Sequence, residues 1–289
     1  MSVDLTVIIL TKDEETNLPY TLKNVIGWAS DVFILDSGSS DKTCELAESM
    51  GAQVFYNRFE NYAKQRNHAL TELPIKTGWT FFLDADEYLT EELKEEIQQT
   101  LPTTEFDGFY IKRRFYFMDR WIRFGGYYPT IILRLFRTGL GQVKREINEH
   151  VEVEGKVGQL QSDFVDHNRK SLSAWIEKHN RYSDMEAKHL IRLEESKAYA
   201  DKQPKARLFG SQAETKHWIR QKIWNRMLPP LVRPLMYYIY RYFLRFGFLD
   251  GKEGLIYHFL QGFWFPFLID AKYIEMKRAA KTSQANPSS

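Results

Sequence analysis

A single cysteine, Cys44, in 289 residues leaves no partner for an intramolecular disulfide and no set of thiolates for a zinc site. It stands beside Glu45 at the start of an expected helix and reads as a packing residue. Residues 11–17, after the first apolar run, contain no glycine. The Gly-rich phosphate loop expected of a nucleotidyltransferase is therefore missing there. The uncharged run 254–269 is 16 residues long and broken by Pro266, short of the ~20 that a membrane span needs. No basic segment precedes the first apolar run, so no signal peptide is expected and the chain reads as cytoplasmic. No repeat of 20–50 residues is present, which argues against a solenoid.

What is present is an ordinary globular composition, 43% hydrophobic and 27% charged, sufficient for one large core or two smaller ones. Through the first hundred residues strand and helix signals alternate. Strands are expected at 5–10, 32–35, 53–56 and 79–83, and helices at 17–26, 42–50, 62–70 and 90–101. That alternation predicts an α/β fold with a mainly parallel sheet covered on both faces. From 108 to 153 short aromatic and β-branched stretches at 109–117, 131–136 and 151–153 suggest antiparallel strands and loops. One long helix rich in Lys and Glu is expected over 173–200.

The chemistry concentrates at 79–87, Trp-Thr-Phe-Phe-Leu-Asp-Ala-Asp-Glu, an apolar strand ending in two carboxylates. Ligands of open α/β sheets bind beyond the carboxyl ends of the strands. In an extended segment Asp84 and Asp86 would point the same way, and two hard oxygen donors suit Mg²⁺ or Mn²⁺ bridging to phosphate. An Asp-rich turn is the plainer alternative. Asp36 ends the second strand and can either shape a turn or accept from the imide N–H of a uracil. Asp41 reads as a helix N-cap. Lys64 and Arg66 can approach base or phosphate, or form a solvated basic face. Arg134 and Arg137, in an apolar strand, can meet phosphate or an anionic acceptor.

Several tracts in order resemble one family: Thr11-Lys12-Asp13-Glu14-Glu15, Leu35-Asp36-Ser37-Gly38-Ser39-Ser40-Asp41-Lys42-Thr43, Tyr62 to Ala69, and Asp84-Ala85-Asp86. They are similar to family 2 glycosyltransferases of the GT-A fold, inverting enzymes that use nucleotide-diphosphate sugars. The tract from Gly125 to Arg137, with Asn148-Glu149-His150, resembles the branch of bacterial lipopolysaccharide-core glucosyltransferases. The resemblance covers about 3–170. It implies a nucleotide-sugar-binding GT-A (Rossmann-like) domain over 1–170, followed by a helical C-terminal extension over 171–289. It places Thr11, Glu15, Asp36, Lys64, Arg66, Asp84, Ala85, Arg134 and His167 around a UDP-sugar. Asp86 becomes the ligand of Mg²⁺ or Mn²⁺, with His167 completing the metal shell or donating to the diphosphate. Glu149 becomes the base that deprotonates the acceptor hydroxyl.

The tail differs in character. From Lys216 onward there are 12 Lys and Arg against 4 Asp and Glu, and 16 of the 43 aromatic residues. Over 227–248, Arg233, Arg241 and Arg245 fall within about 120° on a helical wheel, giving one basic face. An anionic membrane surface is the expected partner, with the protein peripheral at the inner face of the cytoplasmic membrane. A buried hairpin or a homo-oligomer contact is the alternative. Long apolar faces between the basic residues argue against nucleic acid. The expected activity is transfer of a hexose from a UDP-sugar to a lipid-linked or lipopolysaccharide-type acceptor. The competing readings are a nucleotidyltransferase and an inactive scaffold of the same fold.

Overall fold

The computed structural model describes residues 2–143, 151–195 and 229–285. The chain forms two compact units, one from Met1–Ile122 with Tyr127–Lys170 and one from Arg123–Gly126 with Ser171–Ser289.

The first unit begins with three strands, β1 (Val3–Thr11), β2 (Ala29–Asp36) and β3 (Gln53–Tyr56), separated by helices α1 (Leu18–Val25) and α2 (Thr43–Ser49). Helix α3 (Tyr62–Glu72) leads to β4 (Trp79–Asp84), then β5 (Glu87–Leu89), α4 (Glu91–Thr100) and β6 (Gly108–Phe117). Then come β7 (Arg120–Trp121), β8 (Thr130–Arg137), β9 (Gly141–Val143), β10 (Val151–Val153) and β11 (Val157–His167). The main sheet runs β3-β2-β1-β4-β8-β6-β11-β5, with β7 on β6, while β9 and β10 form a separate pair. β1 to β4 are mutually parallel, as the alternation of the first hundred residues predicts. β8 is antiparallel to both β4 and β6, and β11 returns parallel to β6 and antiparallel to β5.

The apolar runs are continuous because both faces of this half-sheet are covered. Leu5, Val7 and Ile9 of β1, with Phe81 and Leu83 of β4, pack under Leu18, Leu22 and Val25 of α1 and Leu93 and Ile97 of α4. The intervening Ile8 and Phe82 face the opposite side, with Ala63 and Ala69 of α3. Register then aligns the carboxyl ends: Thr11 lies opposite Asp36, Asp36 opposite Tyr56, and Leu10 opposite Asp84.

The second unit is helical: α5 (Leu172–Glu195), α6 (Val232–Ile239), α7 (Gly251–Phe259) and α8 (Phe265–Ala285). The basic helix expected over 227–248 is not continuous. α6 passes into a π-helical turn at Tyr240–Leu244, and Phe246 adopts a left-handed φ of 59° before a 3₁₀ turn at Gly247–Asp250. Of its arginines Arg245 is exposed, whereas the other two are engaged within the unit. Arg233 is ion-paired with Asp270 of α8, and Arg241 donates from Nε to the Gly125 carbonyl at 2.7 Å. Helix continues from α7 through a π-helical turn at Leu260–Trp264 into α8, and that wider turn directly precedes Pro266, which supplies no N–H to the turn before it. Among the described residues no helix is long and apolar enough to cross a membrane.

Candidate active site

The loops after β1 and β2 are tied together by the side chains at their strand ends. Asp36 is buried and accepts from Thr11 Oγ1 at 2.8 Å, Gly38 N and Ser39 N at 2.7 Å each, and Ser39 Oγ at 2.6 Å. Gly38 supplies the φ of 91° that this tight return needs. Burial opposes ionisation of Asp36, but the bonds from Ser39, Thr11 and Gly38 outweigh it and hold the carboxyl below its usual range. Of the two roles open to Asp36, turn formation is thus what its side chain performs in this structure. Across the loops, Asp13 Oδ1 accepts from Ser40 N at 2.7 Å, and Glu14 N donates to Thr43 Oγ1 at 2.7 Å. Glu15 accepts from Lys42 N at 3.1 Å, so its carboxylate serves the N-terminus of α2. Gln65, buried in α3, donates to Ser37 Oγ at 3.2 Å.

The acidic pair has a different geometry from an extended segment. β4 ends at Asp84 and residues 85–86 form a turn, so the two carboxylates meet different partners. Asp84 is gripped by Arg134, with NH2 on Oδ2 at 2.8 Å and NH1 on Oδ1 at 3.4 Å, and by Arg66 at 3.3 Å. Burial would raise its pKa, but the guanidinium groups of Arg134 and Arg66 prevail and hold it well below the usual carboxylate range. Arg134 is itself buried and also binds the buried Glu87 at 2.7 Å, which accepts in turn from Asp84 N at 2.8 Å. Arg134 of β8 therefore clamps two carboxylates, at the end of β4 and the start of β5. Burial and the carboxylates of Asp84 and Asp166 push Glu87 up, against the pull of Arg134. Ala85 is buried, with its carbonyl taken by Thr21 Oγ1 at 2.7 Å. Lys64 is exposed at the start of α3 and ion-paired with Glu60.

Asp86 lies beside the end of β11. Its carbonyl accepts from His167 N at 2.8 Å, and its Oδ2 accepts from Asn168 Nδ2 at 3.0 Å. The His167 ring lies tilted by 31° against Tyr116 with centroids 5.3 Å apart, and its Nε2 lies 2.8 Å from Asp119 Oδ1. Asp119 reaches it from the tip of the β6–β7 hairpin, where Met118 and Asp119 both take left-handed φ values of 50° and 63°. The segment 167–170 is then pinned to the β1–α1 loop. Arg169 N donates to Asn17 Oδ1 at 2.8 Å, and Lys170 Nζ donates to Glu14 Oε1 at 2.6 Å. The structure thus brings Asp84, Arg66 and Arg134 together, and separately Asp86 and His167. Glu149 lies outside the described residues. Glu87, Asn168, Asp119 and Lys170 complete the site without a sequence motif to announce them. Only the proximity of Glu87 to the acidic pair and of Asn168 to His167 could have pointed to two of them.

Residues 6–164 match the sequence model of glycosyl transferase family 2. The lipopolysaccharide core biosynthesis glycosyltransferase LpsC of Rhizobium meliloti (strain 1021) is 29% identical over 197 residues, 63% of this chain and 70% of that one. An uncharacterized glycosyltransferase of Rickettsia bellii is 33% identical over 105 residues, 36% of this chain and 35% of the relative, so only about a third of that protein's length is matched. Among solved structures, S. aureus TarS 1–349 aligns over 95% of this chain and 92% of its own at 12% identity, with a TM-score of 0.47. Glucosyl-3-phosphoglycerate synthase from Mycobacterium tuberculosis, in complex with Mn²⁺, UDP and glucosyl-3-phosphoglycerate, aligns over 39% and 44% at 18% identity, with a TM-score of 0.32. The family match spans more than half of the chain, and the protein belongs to glycosyl transferase family 2.

Proposed function

We propose that this glycosyltransferase moves a hexose from a UDP-sugar to a lipid-linked or lipopolysaccharide-type acceptor, with inversion and with Mg²⁺ or Mn²⁺ held by Asp86 and His167. The observation that supports this most is the backbone bond from His167 N to Asp86 O at 2.8 Å, which joins residues 86 and 167 at the sheet's carboxyl edge. Such a pair fits a cation that takes its remaining ligands from diphosphate oxygens and water. Among the described residues no three acidic, His or Cys side chains form a cage, and a two-donor site suits a cation carried with its nucleotide. Bound there, the ion supplies positive charge at the departing diphosphate.

The chain's own groups do the rest. Asp36 fixes the loop that walls the nucleotide. Arg66, 3.3 Å from Asp84, offers a guanidinium to a phosphate oxygen, while Arg134 holds Asp84 ionised toward the ribose. Glu149 takes the proton of the acceptor hydroxyl, whose oxygen attacks the anomeric carbon as UDP leaves from the opposite side. The lipopolysaccharide-type acceptor is supported by the name of the Rhizobium meliloti relative. A peripheral position at the inner face of the cytoplasmic membrane is the reading that such an acceptor and the basic, aromatic tail support.

The test is Glu149→Gln, which preserves shape and removes basicity. UDP-sugar binding should stay nearly intact while transfer to a lipopolysaccharide-core acceptor falls by roughly 10² or more. Near-normal turnover would move the base elsewhere, first to Asp119 or Asp166.

A further inference from the structure

Two consecutive residues are among those that hold Asp86. His167 N holds its carbonyl at 2.8 Å, and Asn168 Nδ2 holds its carboxylate at 3.0 Å. The orientation of the Asn168 amide is not arbitrary. Its Oδ1 accepts from Lys170 N at 2.9 Å and from Asn17 Nδ2 at 3.4 Å, and both of these groups can only donate. With its oxygen engaged by two donors, the amide must turn its NH₂ toward the Asp86 carboxylate, which can only accept when ionised.

The same network runs back through the first loop. Asn17 is fully buried, donates to Glu14 Oε2 at 2.9 Å and accepts from Arg169 N at 2.8 Å. Every amide atom of Asn17 and Asn168 that enters this chain of bonds meets a group of the complementary kind. Buried amide networks satisfied in this way have one arrangement rather than several. The carboxylate at its end therefore inherits a fixed rotation, although residue 86 itself lies in a turn.

We infer that Asn168 is a positioning residue for the cation, aiming the Asp86 carboxylate through its amide N–H while the Asn17–Glu14 bonds hold Asn168 in place. This rests on the proposed role of Asp86 as a cation ligand. Outer-shell hydrogen bonds to a metal-ligating carboxylate orient it, and their loss costs about 10–100-fold in metal affinity. Asn168 reaches the cation only through Asp86, so its loss should leave metal-free nucleotide binding alone. A purely structural asparagine would weaken both.

The experiment is a titration of Mn²⁺ into the full-length protein with saturating UDP, alongside UDP binding in chelator, for wild type, Asn168→Ala, Asp86→Asn and the double variant. In Asn168→Ala, Mn²⁺ affinity should fall about 10–100-fold with UDP affinity in chelator within about twofold of wild type. The change should vanish in the Asp86→Asn background, because both substitutions remove one coupled unit. If the alanine variant does not fold, Asn168→Ser takes its place, since its hydroxyl can still accept from Lys170 N. Wild-type Mn²⁺ affinity in Asn168→Ala, or additive losses in the double variant, would overturn the inference while leaving the cation reading intact. Wild-type protein with no Mn²⁺ dependence of UDP binding would overturn both.

Discussion

Asp36 is the clearest case of a side chain whose charge the fold has reason to keep. Four donors converge on a buried carboxylate, and its folded pKa lies below the ordinary carboxylate range. A depressed folded pKa contributes stability above the unfolded value, and that contribution is lost as pH falls through the folded one. Asp36→Asn should therefore cost about 1.5–3 kcal/mol at pH 7, as for hydrogen bonds to a charged group, and the gap to wild type should close below about pH 4. Urea unfolding across pH 3–8 measures it, and a gap independent of pH would contradict this role. The sequence pointed to Asp36, Asp84 and Asp86 because carboxylates at strand ends are conspicuous. It could not assign their partners. Arg134 is 50 positions from Asp84 and Asn168 is 82 from Asp86, and neither separation follows from a local period. The expectation that Asp84 and Asp86 point together failed because the strand gives way to a turn at residue 85.

β1, β2 and β4 were legible because strands buried on both faces carry unbroken apolar runs. β11 was not. Val157–His167 mixes exposed, intermediate and buried positions, and its register on β6 shifts between Gln159 and Asp163, so no clean alternation survives. In the tail, the helical wheel found the arginines but not Asp270, which lies 37 positions beyond Arg233 and draws it inward. What α6 and the turns after it leave exposed is mainly apolar, including Leu235, Met236, Ile239, Phe243, Leu244 and Phe246, with Arg245 among them. If this surface meets anionic lipid, apolar burial should outweigh the salt-sensitive attraction of the arginines. Full-length protein should float with anionic vesicles, high salt should weaken this only partly, and Leu244→Ser with Phe246→Ser should weaken it more. Wild type that stays unfloated and changes oligomeric size with the double substitution would make the surface a contact between copies instead.

At the level of the whole chain, the described candidate-site residues all belong to the first unit, whereas the apolar surface left by α6 and the turns after it belongs to the second. The family match likewise ends at residue 164, six residues before the end of the first unit at Lys170. Nucleotide binding should thus depend on Asp86 and not on the tail. The measurement that bears most directly on the proposed chemistry is calorimetric titration of UDP with Mn²⁺ and with chelator, in wild type and in Asp86→Ala. Wild type should bind UDP at least about tenfold more tightly with Mn²⁺, a difference of about 1.4 kcal/mol. Asp86→Ala should lose that difference and keep its metal-free affinity. Equal affinity with and without Mn²⁺ in the wild type would contradict a cation site at Asp86.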